Sequence, residues 1–204
     1  MFEGRGMDYL PILVFGLFGL AFPWWLRHLK AFIIGNTLYG GERGELLANG
    51  GQFFKVYFTA GLIISAAGAV GGIAGVMIVK GGLSTAAIVM IAAPFYAGYI
   101  FAFAYIKANI TNLVWNNCPI GPIRFRSTLE AFGLAKLYIA NAVAIIASLG
   151  MLTPWAVIRT FKYRARHIEV MAIGPLTDFR GSDTSAVQAA GAEVAEFFDL
   201  DLSV

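Results

Sequence analysis

Apolar residues along the chain fall into four long runs separated by polar, glycine-rich segments. The runs cover about 9–26, 56–79, 84–106 and 134–158. A helix needs about 20 apolar residues to cross the hydrocarbon core of a bilayer. The second run, VYFTAGLIISAAGAVGGIAGVMIV, and the third, STAAIVMIAAPFYAGYIFAFAYI, meet that length with no charge inside. The first is short, with Pro11 where a first helical turn tolerates proline. The fourth is long enough if Lys136, near its start, extends its ammonium back to the interface. The pattern predicts an all-α membrane protein with about four transmembrane helices. Its membrane domain covers 1–161, and an aqueous C-terminal tail covers 162–204. The segment KGGLS between the second and third runs predicts a tight turn and an antiparallel helix pair. Segments 27–55 and 107–133, rich in Gly, Asn and charge, predict interfacial turns or short β-hairpins. In the tail, a weak amphipathic helix is expected from about Thr184, ending in Glu193, Glu196, Asp199 and Asp201.

Composition agrees with this pattern. Of 204 residues, 58% are hydrophobic and 13% charged, about half the charge of an ordinary soluble domain. Mean hydropathy is +0.71. The net charge of +3 is mild, and the cations gather at the ends of apolar runs. That is the distribution of membrane-flanking charge and offers nothing to nucleic acid. With Cys118 as the one cysteine, neither an intramolecular disulfide nor a cysteine-based metal site forms within the chain. The first run is followed by FPWWLRHLK rather than a small-residue cleavage site, and reads as a retained helix.

Two internal echoes stand out. NTLYGGER (36–43) aligns on NCPIGPIR (117–124) as Asn-x3-Gly-x2-Arg, and Pro23-Trp24 echoes Pro154-Trp155, each followed by Arg and Lys. Together they suggest a duplicated unit: a helix, a Pro-Trp membrane exit, a basic step and an Asn-Gly turn. Trp24, Trp25, Arg27, Trp155 and Arg159 are the expected interface anchors, since indole favours the headgroup region and guanidinium the phosphates. Orientation is not decided by charge on a four-crossing reading, which places eight Lys and Arg on one side and seven on the other. The basic cluster at 159–166 beside the fourth run favours a cytoplasmic C-terminus. Matching exits on opposite faces would be odd, unless one run does not fully cross.

Chemistry-bearing residues are sparse. Gly68, Gly71, Gly72 and Gly75 put small residues on one helix face, which allows close packing within the chain, or an oligomerisation or pore-lining face. Lys136 and Asn141 are the polar residues at membrane depth. Snorkelling accounts for the first; for the second, a bond across helices and a transport role are the alternatives. Pro94 fits a tolerated kink. His28 and His167 stand in basic segments, and no hydrolase, zinc or phosphate-loop motif is present. No catalytic, metal or cofactor residue is therefore assigned, and no cofactor is expected.

TPWAVIRTFKY, NTLYGGER and above all AAGAEVAEFFDLDL resemble the YjgN-like bacterial inner-membrane proteins, a domain-of-unknown-function family. The likeness is strongest from Asn117 to Leu202. Here the first exit has shortened spacing, and no aromatic follows Arg43. The resemblance implies a multi-pass protein of the bacterial inner membrane, often longer in the family by an N-terminal copy, and supplies neither an enzyme activity nor a substrate. Three functions fit: a non-enzymatic scaffold or accessory subunit, a small transporter or channel, and, least supported, an enzyme of lipid headgroups. Expected partners are the lipid bilayer and either a second copy or a larger membrane complex, not nucleic acid.

Overall fold

A computed structural model describes residues 10–39, 41–79 and 85–173. Five helices carry the fold among these residues: α1 (Leu10–Gly35), α2 (Gly50–Val79), α3 (Thr85–Asn116), α4 (Ala131–Ala147) and α5 (Thr153–Ala165). Four short strands accompany them: β1 (Leu38–Tyr39), β2 (Glu42–Arg43), β3 (Ile123–Ser127) and β4 (Ile168–Ala172). The expected tight turn at 80–84 and the amphipathic tail helix lie outside the described residues.

The chain is mostly helical, and α2 and α3 are long and apolar enough to cross a membrane. Only 17% of the apolar stretch of α2 and 11% of that of α3 is buried, so neither is the enclosed core helix of a soluble domain. Both helices, like α1, extend past their apolar runs toward the same end.

At that end the helices converge. Ile34 of α1, Phe53 of α2, Leu46, Ala48 and Cys118 form one buried cluster, against which Ile110, Leu113 and Val114 of α3 pack. A second cluster joins Ala104 and Ala108 of α3 to Leu134, Ala135 and Leu137 of α4. Among the described residues the main helix contacts are between neighbours in chain order, α1 on α2, α2 on α3, α3 on α4 and α4 on α5. They form an open row, not a closed bundle.

The Asn-Gly echo is a structural repeat. Asn36 caps α1 by donating Nδ2 to Phe32 O at 2.7 Å, and Asn117 caps α3 by donating to Leu113 O at 2.8 Å. Each turn also holds a glycine in the left-handed region that glycine tolerates, Gly41 (φ 85°) in the first and Gly121 (φ 52°) in the second, though the two are one position out of step in the alignment. The first turn closes the β1–β2 hairpin. The two turns then bind each other: Glu45 N donates to Pro119 O at 3.2 Å and Leu47 N to Asn117 O at 2.9 Å. Adding 81 to a residue number carries the first unit onto the second. Leu46, Ala48, Phe53 and Ala60 then meet Ser127, Leu129, Leu134 and Asn141, and all eight are buried.

The fourth apolar run differs from the expected single crossing. It is divided by a turn at 148–152 into α4, only 17 residues long, and α5, which runs back beside it. Pro154, in the first turn of α5, lacks the N–H that a continuing helix would need. The return is fixed by β4, which pairs antiparallel with β3 from Ile123↔Ala172 to Ser127↔Ile168. Thus the hairpin starts and finishes at the same end of the molecule. The Pro-Trp echo is correspondingly not a matched pair of exits. Pro23 is buried inside an α1 that continues to Gly35, whereas Pro154 opens a new helix.

Candidate functional site at the helical hairpin

The α4–α5 hairpin is held by a polar network in an otherwise apolar contact. Asn141, 6% exposed, donates Nδ2 to Ala156 O at 3.2 Å and to Thr160 Oγ1 at 2.9 Å, while its Oδ1 accepts from Arg159 Nη1 at 3.3 Å. Thr160 Oγ1 also donates to Ala156 O at 2.9 Å. One turn nearer the polar end, buried Arg164 donates Nη2 to the Tyr138 hydroxyl at 3.0 Å. Both ends of the Asn141 amide are thus engaged inside the hairpin.

Helical spacing puts Trp155, Arg159, Lys162 and Arg166 on one face of α5, at steps of four, three and four residues. The Arg159 guanidinium lies 5.1 Å from the centroid of the Trp155 ring, a cation–π distance. With Leu137, Ile158 and Tyr163 this face lines an open groove of about 370 Å³. Its walls combine three cations with apolar and aromatic surface, which suits an amphiphilic anion better than a free ion.

The tip of the hairpin is apolar. Ile146 is 75% exposed, Leu149 94% and Met151 84%. Leu149 also sits at φ 52°, a conformation that costs a branched side chain about 1–2 kcal/mol. In water that exposed leucine returns nothing; in hydrocarbon its burial returns about 1.5–3 kcal/mol. Every backbone N–H from Ser148 to Thr153 is bonded to the turn or to the end of α4. Ser148, Leu149, Gly150, Met151 and Thr153 donate to carbonyls at 2.8–3.1 Å, and Leu152 donates to Ser148 Oγ at 3.0 Å.

The other sequence-predicted residues distribute as follows. Trp24 and Trp25 are exposed on α1. The Trp24 and His28 rings meet tilted, centroids 4.1 Å apart, and Arg27 Nε donates to Ala48 O at 3.3 Å, tying α1 to the segment before α2. Lys136 lies 4.4 Å from the Phe132 ring one turn back toward the polar end. The glycine face divides. A Cβ on Gly71 would stand 2.7 Å from Ile91 O, and one on Gly75 would touch the Ile91 side chain, so both pack on α3. Around a Cβ on Gly68 or Gly72 there is open space.

The sequence reading missed Asn112 and Asn116, one turn apart at the end of α3. Asn112 Oδ1 accepts from Ser127 Oγ at 2.7 Å and Leu129 N at 2.9 Å, and its Nδ2 donates to Leu129 O at 2.8 Å. Asn116 Oδ1 accepts from Ser127 N at 2.6 Å and its Nδ2 donates to Ser127 O at 3.1 Å. These amides act as a substitute strand edge that aligns β3, and through β4 the end of the hairpin. The available signal was the spacing of four in NITNLVWNN. Cys118 is buried in the cluster with Ile34, Leu46 and Phe53, and that burial pushes its thiol pKa up. Among the described residues no three His, Cys, Asp or Glu side chains come together as a metal site.

Comparison with known proteins agrees with the resemblance read from the sequence. Residues 6–197 match the family model described as bacterial protein of unknown function (DUF898). No curated protein and no solved structure matches the chain.

Proposed function

We infer, from the premise that the chain belongs to the DUF898 family of bacterial proteins, that it is a multi-pass protein of the bacterial inner membrane and works as a non-enzymatic scaffold or accessory subunit of a membrane complex. The observation that carries this reading is the open row of helices with uncovered apolar sides. Phe18, Leu20 and Phe22 on α1, Val70 and Ile73 on α2, and Tyr96 and Tyr99 on α3 are all exposed. Lipid covers part of such a surface. The open Gly68/Gly72 face of α2 suits close approach by a helix of another subunit. A transporter would need a wet route at Asn141, whose amide is instead bonded on both sides within the hairpin.

The hairpin supports an orientation. All twelve Lys and Arg of the described residues lie at or within about three turns of one end, because α5 returns Arg159, Lys162, Arg164 and Arg166 to the side already holding Arg27, Lys30 and Lys107. The positive-inside rule places that end in the cytoplasm. The test is purification from native membranes in mild detergent, with mass measured by light scattering and partners identified by mass spectrometry. The expected particle exceeds one 22.0 kDa chain and loses its extra mass on Gly72→Leu. A lone, lipid-solvated monomer with no co-purified protein would overturn the scaffold reading.

A further inference from the structure

The α4–α5 hairpin raises a question that the open row of helices leaves unanswered. Its first helix, α4, is as apolar as α2, α5 adds an apolar start before its cations, and the two ends are tied by β3–β4 pairing at one level. The hairpin therefore enters whatever phase surrounds it and comes back. From residue 137 to the turn at 148 the rise is about 16 Å, a little over half of the roughly 30 Å hydrocarbon core.

Three features of the tip suit hydrocarbon rather than water. Its outermost side chains, Leu149 and Met151, are apolar and almost fully exposed. Its six consecutive backbone N–H groups are bonded to the turn or to the end of α4, so no donor enters an apolar phase unpaired. Its hydroxyls are spent as well, Ser148 Oγ donating to Ile145 O at 3.1 Å and Thr153 Oγ1 to Gly150 O at 2.7 Å. The cations on α5 do not contradict this placement. Lys162 and Arg166 lie toward the polar end, and Arg159, deepest of the three, is supplied with Asn141 Oδ1 and the Trp155 ring.

We propose that the hairpin is a re-entrant element, entering and leaving the bilayer from the cationic side, and that its groove binds the headgroup phosphate of an anionic phospholipid of that leaflet. This rests on the membrane placement inferred above. Arg159, Lys162 and Arg166 descend along one face of α5 like successive rungs, so a phosphate meets Lys162 and Arg166 at headgroup level. The acyl chains continue along Leu137, Ile158 and Trp155 toward the tip. Charge complementarity selects an anionic lipid, and the apolar wall selects a lipid over a soluble anion.

Placement and ligand are tested on the full chain reconstituted in bilayers. In a Cys118→Ser background, cysteines at Met151 and at Val76 of α2 are offered a membrane-impermeant maleimide from each side. They are then labelled under denaturing conditions with a fluorophore, refolded into vesicles and exposed to acyl-chain nitroxide lipids. Both positions are expected to be protected from the maleimide and quenched by the nitroxide. Labelling of Met151→Cys with Val76→Cys still protected would overturn the re-entrant hairpin and leave the membrane reading standing. Labelling of both would overturn the membrane reading itself. For the ligand, the protein is taken from nanodiscs of equal phosphatidylglycerol and phosphatidylcholine into native mass spectrometry. One phosphatidylglycerol is expected to stay bound, and Lys162→Gln/Arg166→Gln to weaken its retention about thirtyfold, the joint factor for two interfacial cations. The double variant should keep its Met151→Cys protected, which shows the hairpin still folded. Equal retention of phosphatidylcholine, or displacement of the lipid by millimolar inorganic phosphate, would overturn the lipid assignment.

Discussion

Replacing Asn141 with leucine tests whether a single buried amide holds the hairpin together. The amide makes three bonds to α5, with Ala156 O, Thr160 Oγ1 and Arg159 Nη1. Interhelical side-chain bonds in membrane proteins average about 0.6 kcal/mol and rarely pass 1.7, so three give about 2 kcal/mol. The loss should not run higher, because Ala156 O keeps its bond from Thr160 Oγ1 at 2.9 Å and Leu nearly preserves the volume. What remains is Arg159 with the Trp155 ring alone. The assay is SDS-driven unfolding in mixed micelles, followed by the fluorescence of Trp155 in a chain whose three other tryptophans are phenylalanine. Asn141→Leu is expected to lower the unfolding free energy by about 2 kcal/mol, and a cycle with Thr160→Val to give a coupling near 0.6 kcal/mol. A loss under about 0.5 kcal/mol, or stabilisation, would refute the argument that hydrogen bonding across the hairpin, rather than its apolar contact, sets its stability.

Other perturbations separate the remaining contacts. Gly71→Leu forces a side chain onto the backbone of Ile91 and should unfold the α2–α3 pair, whereas Gly72→Leu meets open space and should leave thermal stability within about 0.5 kcal/mol; paired melts in detergent check this. Asn112→Ala removes three bonds to residues 127 and 129 and strands Leu129 N, costing about 2–3 kcal/mol; the readout is faster proteolysis within β3. Cys118 should react slowly with a neutral disulfide reagent at pH 8 and fast once the chain is unfolded. Its folded pKa is raised by burial above the ordinary 9.0. The stability it contributes is therefore full while pH stays below that ordinary value, and is lost as pH climbs through the raised one. Labelling rates and denaturation midpoints from pH 7 to 10 test both statements.

The helices and the Asn-Gly turns were legible because each is a local pattern. Apolar run length marks α2 and α3, and Asn36 and Asn117 mark the ends of α1 and α3 through bonds to their own preceding turns. The repeat was legible only in part. The correspondence of 36–43 with 117–124 extends to Lys55/Lys136 and Tyr57/Tyr138, but these identities sit among substitutions such as Phe53 for Leu134 that preserve burial and not residue type. The β3–β4 pairing joins residues more than forty positions apart, from Ser127↔Ile168 outward, and strands of five residues carry no periodicity strong enough to announce a partner. The groove was invisible for the same reason: Leu137 meets Arg159 and Arg166 only once the chain has turned back.

Hydropathy fails at the fourth run because it counts apolar residues and is blind to direction. Ser148–Thr153 is apolar enough to continue a helix, but its equivalents 81 positions earlier, 67–72, are where α2 passes unbroken against α3 through Ala67 and Gly71. The break at the second copy has several independent causes. Pro154 offers no N–H and would crowd the carbonyl of Gly150 in a continuous helix. Gly150 (φ 92°) and Leu149 reverse the backbone, and its N–H caps Ile145 O at 2.8 Å. Straightening the run would also carry Arg159, Lys162, Arg164 and Arg166 to the far side and detach β4 from β3. Each guanidinium or ammonium passing the bilayer centre opposes insertion by about 2.5–3.5 kcal/mol, far more than restoring one backbone hydrogen bond returns. Pro154→Ala is therefore expected to leave a reporter fused after β4 on the same side as one inserted at Asn36. Relocation of that reporter to the opposite side would show that the proline alone turns a crossing into a hairpin.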